Sequence, residues 1–87
     1  MSESIPTQCY PNPFSSSLTI EYELDNSEKV TLIIYNHLGE TITTTERFKE
    51  TGKHQYIWNA EGLPSGMYYY KLKAGKQLAN GKIVKVR

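Results

Sequence analysis

Residues 60–72, which read AEGLPSGMYYYKL, encode a tight turn followed by a strand. Pro64 presets the backbone for the start of a turn, and Gly66 can adopt a positive φ without steric cost. Over residues 67–74 the side chains alternate between two faces, and Tyr68 begins the more apolar one. The pattern predicts a strand whose buried face consists of Tyr68, Tyr70, Leu72 and Ala74.

Similar alternation precedes this stretch along most of the chain. Residues 18–25 alternate between apolar and polar side chains, which predicts a half-buried strand. Residues 29–35 are apolar on both faces, which is typical of a central strand. Residues 40–48 predict a more exposed strand that contacts the core through Ile42 and Phe48. Polar residues 49–53 are expected to form a loop before a strand over residues 54–60.

The end of the chain predicts one more hairpin. Asn80-Gly81 is a strong signal for a two-residue turn, so residues 82–87 are expected to form the last strand. Six to seven short strands with no helical period predict an all-β, antiparallel β-sandwich, and an open barrel is the alternative. Upstream, Tyr10 and Phe14 are expected to act as apolar pegs on either side of two prolines.

Composition limits the classes of function. The chain has 87 residues, which makes one domain, and a single cysteine, Cys9, so an internal disulfide is excluded. No apolar run is long enough to span a membrane, and residues 1–5 lack the features of a signal peptide. Basic residues follow Glu61 without any acid, but they are spread along predicted strands. A solvated sheet face explains them better than binding to nucleic acid.

No constellation of residues predicts catalysis, a cofactor or a metal. His37 and His54 are expected at the surface, because a zinc site needs three or four close ligands. The carboxylates of Glu21, Glu23 and Asp25 share a strand face, where a solvated surface is favoured over a calcium site. The aromatic residues are expected to fill the core, and the alternative is an exposed platform that stacks sugar rings. They are Tyr56, Trp58, Tyr68, Tyr69 and Tyr70.

Five motifs occur in one order over residues 10–87, and together they resemble a known family. The motifs are Tyr10-Pro11-Asn12-Pro13-Phe14, then residues 30–36 with Leu38-Gly39-Glu40, then Trp58-Asn59-Ala60, then Gly62-Leu63-Pro64-Ser65-Gly66-Met67-Tyr68-Tyr69-Tyr70-Lys71-Leu72, and finally Lys82-Ile83-Val84-Lys85-Val86. This pattern resembles the type A C-terminal sorting domain of the type IX secretion system, found in secreted proteins of Bacteroidetes. The resemblance implies an immunoglobulin-like β-sandwich.

The resemblance also implies a role in export. Such a domain is a non-catalytic sorting signal that an outer-membrane translocon recognises, and its passenger lies on the N-terminal side. A sortase-like peptidase then removes the domain, and the passenger is joined to lipopolysaccharide at the cell surface or released after transit through the periplasm. On this reading residues 1–9 are a linker or an added starting segment, and residues 10–87 are the sorting domain. The implied signal residues are Gly66, Met67, Tyr68, Lys82, Ile83, Val84, Lys85 and Val86.

Two further hypotheses concern the last strand and an alternative function. An edge strand at the C-terminus would offer unpaired backbone groups to a receptor that adds a strand. The alternative function is an immunoglobulin-like binding or spacer module of a surface protein, and a glycan-binding version of it would depend on an exposed Trp58 or Tyr69. Related motifs occur in domains that resemble those of flagellar hook-capping proteins.

Overall fold

The computed structural model describes residues 5–87, which form two antiparallel sheets. In chain order the strands are β1 (Thr7–Tyr10), β2 (Ser17–Leu24), β3 (Glu28–Asn36), β4 (Thr41–Lys49), β5 (Gly52–Asn59), β6 (Gly66–Ala74) and β7 (Gln77–Lys85). One sheet has the strand order β1-β2-β5, and the other has the order β4-β3-β6-β7. The all-β antiparallel prediction is confirmed. Residues 5–87 include no helix that is long and apolar enough to cross a membrane.

The two sheets pack face to face around one hydrophobic core, as in a β-sandwich. Within each strand, alternation sends every second side chain inward, and cross-strand register lines these side chains up. Leu18 lies opposite Trp58 in one sheet, and Leu32 lies opposite Leu72 in the other. The buried apolar side chains are Ile5, Phe14, Leu18, Ile20, Tyr22, Leu24, Val30, Leu32, Ile34, Trp58, Ala60, Tyr68, Tyr70, Leu72, Ala74 and Ile83.

The two strands with the clearest patterns form as predicted. β6 buries Tyr68, Tyr70, Leu72 and Ala74, the four residues assigned to its inner face. β3 pairs with β4 on one side and with β6 on the other, so it is a central strand. Its outward side chains Thr31, Ile33 and Tyr35 are half-buried rather than exposed, which explains why the sequence is apolar on both faces beyond Lys29.

The N-terminal region differs from the predicted linker over residues 1–9. Ile5 is only 3% exposed and belongs to the core, and β1 pairs with the outer edge of β2. Cys9 lies opposite Ile20 and packs against the core. The mostly polar β1 sequence gives little local signal, because β2 supplies the hydrogen bonds that make it a strand. Residues 1–4 lie outside the described part of the chain.

The predicted turn at Asn80-Gly81 is wrong. β7 runs without a break from Gln77 to Lys85, and the hairpin turn is the two-residue Gly75-Lys76 connection. Gly75 has a φ of 61°, which suits the first position of such a turn. Gly81 lies opposite Tyr70, and a Cβ placed on Gly81 would come within 2.7 Å of the Tyr70 ring. The glycine therefore makes room for a cross-strand aromatic ring rather than for a turn.

Three smaller expectations also need correction. The predicted core contact of Phe48 does not form, because the side chain lies on the outer face of β4 and is 68% exposed. Of the two predicted pegs, Phe14 is buried but Tyr10 is largely exposed on the three-stranded sheet, where its hydroxyl accepts a hydrogen bond from Gln55. The loop predicted for residues 49–53 is shorter, because β4 ends at Lys49 and β5 begins at Gly52.

Candidate functional site

Parts of all five motifs, which are scattered along the sequence, meet at one end of the sandwich. β3 ends with Asn36 opposite Tyr68, which is near the start of β6. Tyr68 in turn lies opposite Ile83, near the end of β7. The connection before β6 and the segment before β2 reach the same place through the contacts described below. We call this region, formed by residues 10–14, 36–40, 58–68 and 82–86, the motif end.

An aromatic cluster forms the interior of the motif end. The rings of Phe14 and Trp58 have centroids 5.7 Å apart, and those of Trp58 and Tyr68 are 5.5 Å apart in an edge-to-face arrangement. The Tyr68 hydroxyl donates a hydrogen bond to the Pro64 carbonyl oxygen at 2.6 Å. This bond ties the turn to the strand that follows it. The hydrogen bond between Tyr68 and Pro64 therefore stabilises the turn that precedes β6.

The Pro11-Asn12-Pro13 motif clamps the last strand. The Asn12 side chain accepts a hydrogen bond from the Val84 amide at 3.0 Å and donates a long one to the Lys82 carbonyl oxygen at 3.4 Å. Phe14 continues the clamp through its backbone: its amide donates to the Val84 carbonyl oxygen, and its carbonyl oxygen accepts from the Val86 amide, at 2.9 and 2.7 Å. The outer edge of β7 is thus occupied by the chain itself.

A third backbone contact lies near the start of β7, on the same outer edge. The Ile5 amide donates a hydrogen bond to the Leu78 carbonyl oxygen at 3.1 Å. The hypothesis of an unpaired C-terminal edge strand is therefore wrong at Leu78 and over residues 82–86, where the outer edge is hydrogen-bonded to the N-terminal segment. A receptor that added a strand here would have to displace Ile5, Asn12 and Phe14, and two of these three side chains are buried in the core.

The Leu38-Gly39 motif forms the turn between β3 and β4. Asn36 organises it, because its side-chain oxygen accepts hydrogen bonds from the amides of Leu38 and Glu40. Gly39 has a φ of 84°, as the sequence predicts for this position. The Leu38 side chain is left largely exposed beside the end of the sheet.

The predicted signal residues divide into two groups by the direction of their side chains. Tyr68, Ile83 and Lys85 lie on the inner face, and even the Lys85 side chain is only 8% exposed. Its buried stem and the absence of any buried, unpaired side-chain nitrogen or oxygen atom among residues 5–87 indicate that the ammonium group reaches solvent. Met67, Lys82, Val84 and Val86 lie on the outer face, and Val84 alone among them is half-buried. Gly66 begins β6 opposite Lys85.

The outward group forms a continuous surface. Met67 lies opposite Val84, and Tyr69 lies opposite Lys82. The Tyr69 ring stacks on Tyr35 of the neighbouring strand, with centroids 5.6 Å apart and an angle of 19° between the planes. We call the surface of Met67, Tyr69, Lys82, Val84 and Val86 the outer β6–β7 face. It is apolar at its centre and carries a cation at its rim.

The interior beside β7 keeps its titratable groups neutral. Burial raises the pKa of the Tyr70 hydroxyl, and the neighbouring Cys9 thiol raises it further. Burial also raises the pKa of Cys9, although a hydrogen bond with Tyr70 acts in the opposite direction. A raised pKa makes the thiol a poor nucleophile at neutral pH. Sequence reasoning missed this pair, because Cys9 and Tyr70 are brought together only by the packing of β1 against the opposite sheet.

Within residues 5–87 the candidate metal ligands do not cluster, and the aromatic residues considered for a sugar platform divide between the core and the surface, where Tyr69 lies half-buried on the outer β6–β7 face. Within residues 5–87 no group of three or more His, Cys, Asp or Glu side chains is placed to hold a metal ion. His54 instead donates a hydrogen bond to the Glu50 carbonyl oxygen at 2.6 Å. Trp58 is 5% exposed, and Tyr68 and Tyr70 are also buried. Trp58 is therefore a core residue and offers no platform for a sugar ring.

Comparison with known families decides the identity of the domain. The family model described as "Secretion system C-terminal sorting domain" matches residues 8–86, which is nearly the whole chain. The chain belongs to this family. The type IX sorting domain that the five motifs indicated is thereby confirmed. No curated protein sequence matches the chain.

Solved structures similar to the sorting domain include parts of two glycosidases. A β-glucosidase from Erythrobacter marinus matches with a TM-score of 0.56 and 14% identity over 92% of this chain. A mutant β-glucosidase from Listeria innocua, in complex with laminaribiose, matches with a TM-score of 0.55 and 8% identity over 97% of this chain. The sorting domain spans only 15% and 16% of those chains, so the likeness concerns the fold alone.

Proposed function

We propose that this domain is the sorting signal that the type IX outer-membrane translocon recognises, and that a passenger protein is joined to its N-terminal side. In this role the domain has no catalytic activity, and the passenger crosses the periplasm before it reaches the cell surface or the medium. The observation that carries the proposal is the family match over residues 8–86.

The recognition surface that we assign to the translocon is the outer β6–β7 face. Only the outward half of the predicted signal residues is accessible, because Tyr68 and Ile83 are buried in the core. A partner surface that is apolar at its centre and acidic at its rim would complement this face, since Lys82 has no carboxylate within ion-pair distance among residues 5–87. The inward half of the signal contributes indirectly by holding the face in shape.

We propose further that a sortase-like peptidase separates the passenger from this domain and that the passenger is then anchored or released. Proteolysis concentrates where the backbone is exposed and poorly paired. Ile5 is buried, and Thr7–Tyr10 is hydrogen-bonded to β2. The cut is therefore expected on the N-terminal side of Ile5, a narrower region than residues 1–9.

The test is export of a reporter fused ahead of residues 1–87 in a host with a working type IX system. We expect the fusion to reach the surface or medium, and the reporter without the domain to remain inside. The double variant Met67→Glu/Val86→Glu places two charges on the outer β6–β7 face, and export should fall by about tenfold or more, because burying an unpaired charge in an interface costs over about 1.4 kcal/mol.

A matched control and a fold check complete the experiment. Ile57→Glu alters an exposed apolar residue on the other sheet and should leave export within about twofold of the intact fusion. Both variants should unfold at the same urea concentration as the intact domain. Retention of the intact fusion, while a known sorting domain is exported in the same host, would overturn the proposal. Deleting residues 82–87 is a weaker test, because Ile83 is a core residue.

A further inference from the structure

The two sides of the sandwich are built differently. On the closed side, where β1 and β7 are the edge strands, the outer edge of β7 is occupied by Ile5, Asn12 and Phe14. On the open side, β4 and β5 are the edge strands of different sheets, and they are joined through the short connection over residues 50–51. Within residues 5–87 no other segment pairs with the outer edge of β4 or of β5. These edges therefore keep rows of unpaired backbone groups.

A cleft opens between the sheets on the open side. It has a volume of about 270 Å³, and core residues from both sheets form its floor. Sites for whole small molecules typically have volumes of about 300–1,000 Å³. This cleft lies below that range and suits one or two side chains of a peptide. The floor consists of Tyr22, Val30, Leu32, Tyr56 and Leu72.

Two cations line the mouth of this cleft. Arg47 lies opposite Val30 in the β3–β4 register, so it is on the inward face of β4, and Lys49 follows on the same face. Neither has a carboxylate within 4 Å among residues 5–87, and no acidic residue lines the cleft. Glu28 lies opposite Lys49, but its carboxylate is turned toward Gly75. The mouth of the cleft is therefore positively charged and its floor is apolar.

We propose that the open side binds an extended peptide segment of a partner protein, one that carries apolar and acidic side chains at every second position and therefore on the same face of the strand. The segment adds to the outer edge of β4 by backbone hydrogen bonds. One apolar side chain enters the cleft, and carboxylates two positions away, on the same inward face, pair with Arg47 and Lys49. This inference rests on the proposed function, because it gives the secretion machinery a second contact separate from the outer β6–β7 face.

Charged side chains on an edge strand also have another known use, which is to prevent strands of different molecules from pairing. Reversing both charges distinguishes the two roles. Arg47→Glu/Lys49→Glu keeps two charges on the edge, so protection against self-pairing is retained. Binding of an acidic segment, in contrast, is replaced by repulsion.

The experiment is a titration of the isotopically labelled chain, followed by NMR, with a synthetic peptide about seven residues long, a typical strand length, that carries valine and glutamate in turn at every second position and threonine between them. We expect shift changes confined to β4, β5 and the cleft, with a Kd of about 1 mM or tighter. Arg47→Glu/Lys49→Glu should weaken binding by about tenfold or more, and Arg47→Gln/Lys49→Gln should have a smaller effect in the same direction. The same peptide with lysine in place of glutamate should not bind.

The control variant Lys53→Glu/Lys76→Glu reverses two exposed charges away from the cleft and should bind the acidic peptide within about twofold of the unmodified chain. The inference is overturned if the acidic peptide produces no shifts, if the shifts lie on β7, or if the cleft and control variants lose affinity equally. Peptide binding does not depend on export. A bound peptide with a reporter that is not exported would refute the proposed function alone, and the reverse result would refute this inference alone.

Discussion

The closed and open sides of this small sandwich differ in what their edge strands present to a partner. On the closed side, the strand that carries the sorting motif has its edge filled by Asn12 and Phe14, so only its outer face is accessible. On the open side, β4 and β5 keep free edges beside an apolar cleft. The difference shows that a C-terminal strand at the edge of a sheet can have its outer hydrogen-bonding groups already paired within the chain. The surface that a partner recognises is therefore expected on the outer β6–β7 face and not at the edge of β7.

The largest expected effect compares two phenylalanines, one on each side. Phe14→Ala removes a ring that is 1% exposed and should lower the free energy of unfolding by about 3–5 kcal/mol, the usual cost of deleting a buried aromatic side chain. Phe48→Ala removes the same atoms from the open side, where the ring is 68% exposed, and should change stability by about 0.5 kcal/mol or less. Urea unfolding followed by tryptophan fluorescence measures both. Equal losses would mean that the two sides do not differ as described.

A smaller effect is expected from the polar part of the clamp. Asn12→Ala removes the hydrogen bonds to Lys82 and Val84, and should cost about 1 kcal/mol because both backbone groups can still bond to water. Asn80→Ala, on the same strand but outside the clamp, is the matched control and should cost about 0.5 kcal/mol or less. The urea midpoints of unfolding of the two variants measure this difference in stability. If Asn80→Ala were the more damaging change, the clamp would not be what holds β7.

The smallest effect concerns pH and the titratable groups buried in the interior. Burial raises the pKa values of Tyr70, Cys9 and Tyr22 above the ordinary 10.0 for tyrosine and 9.0 for cysteine. The folded state therefore keeps protons that the unfolded state releases. Stability should be constant at neutral pH and fall as the pH rises above about 9.

Tyr70→Phe should make this alkaline loss of stability shallower, because one of the proton-retaining groups is gone. Urea midpoints between about pH 8 and about pH 11 provide the test. An unchanged slope in the variant would show that Tyr70 ionises as readily in the folded domain as in the unfolded chain.

Much of the fold could be predicted because burial alternates within single strands. The order of apolar and polar side chains in residues 67–74 indicates which face is buried. Apolar side chains on both faces of β3 indicate that it is a central strand. The division of the signal residues into inward and outward groups also follows from this parity. These are local properties, so the sequence contains them.

The features that could not be predicted depend on contacts between distant residues. Asn12 and Val84 are 72 positions apart, and nothing near either residue indicates the hydrogen bond between them. Asn80-Gly81 has the chemistry of a turn, but the ring of Tyr70 covers Gly81 from the neighbouring strand. Ile5 looks like part of a polar linker until the opposite sheet supplies its partners. In each case tertiary packing overrides the local signal.

The central claim is that the terminal strand is presented by its outer face because its edge is already occupied. Hydrogen exchange at single amides tests it most directly. We expect the Val84 and Val86 amides, which bond to Asn12 and Phe14, to exchange at least about a hundredfold more slowly than the edge-facing amides of β4. If Val84 and Val86 exchange as fast as the free edge of β4, the edge of β7 is open in solution, and recognition by strand addition at β7 replaces recognition by the outer β6–β7 face.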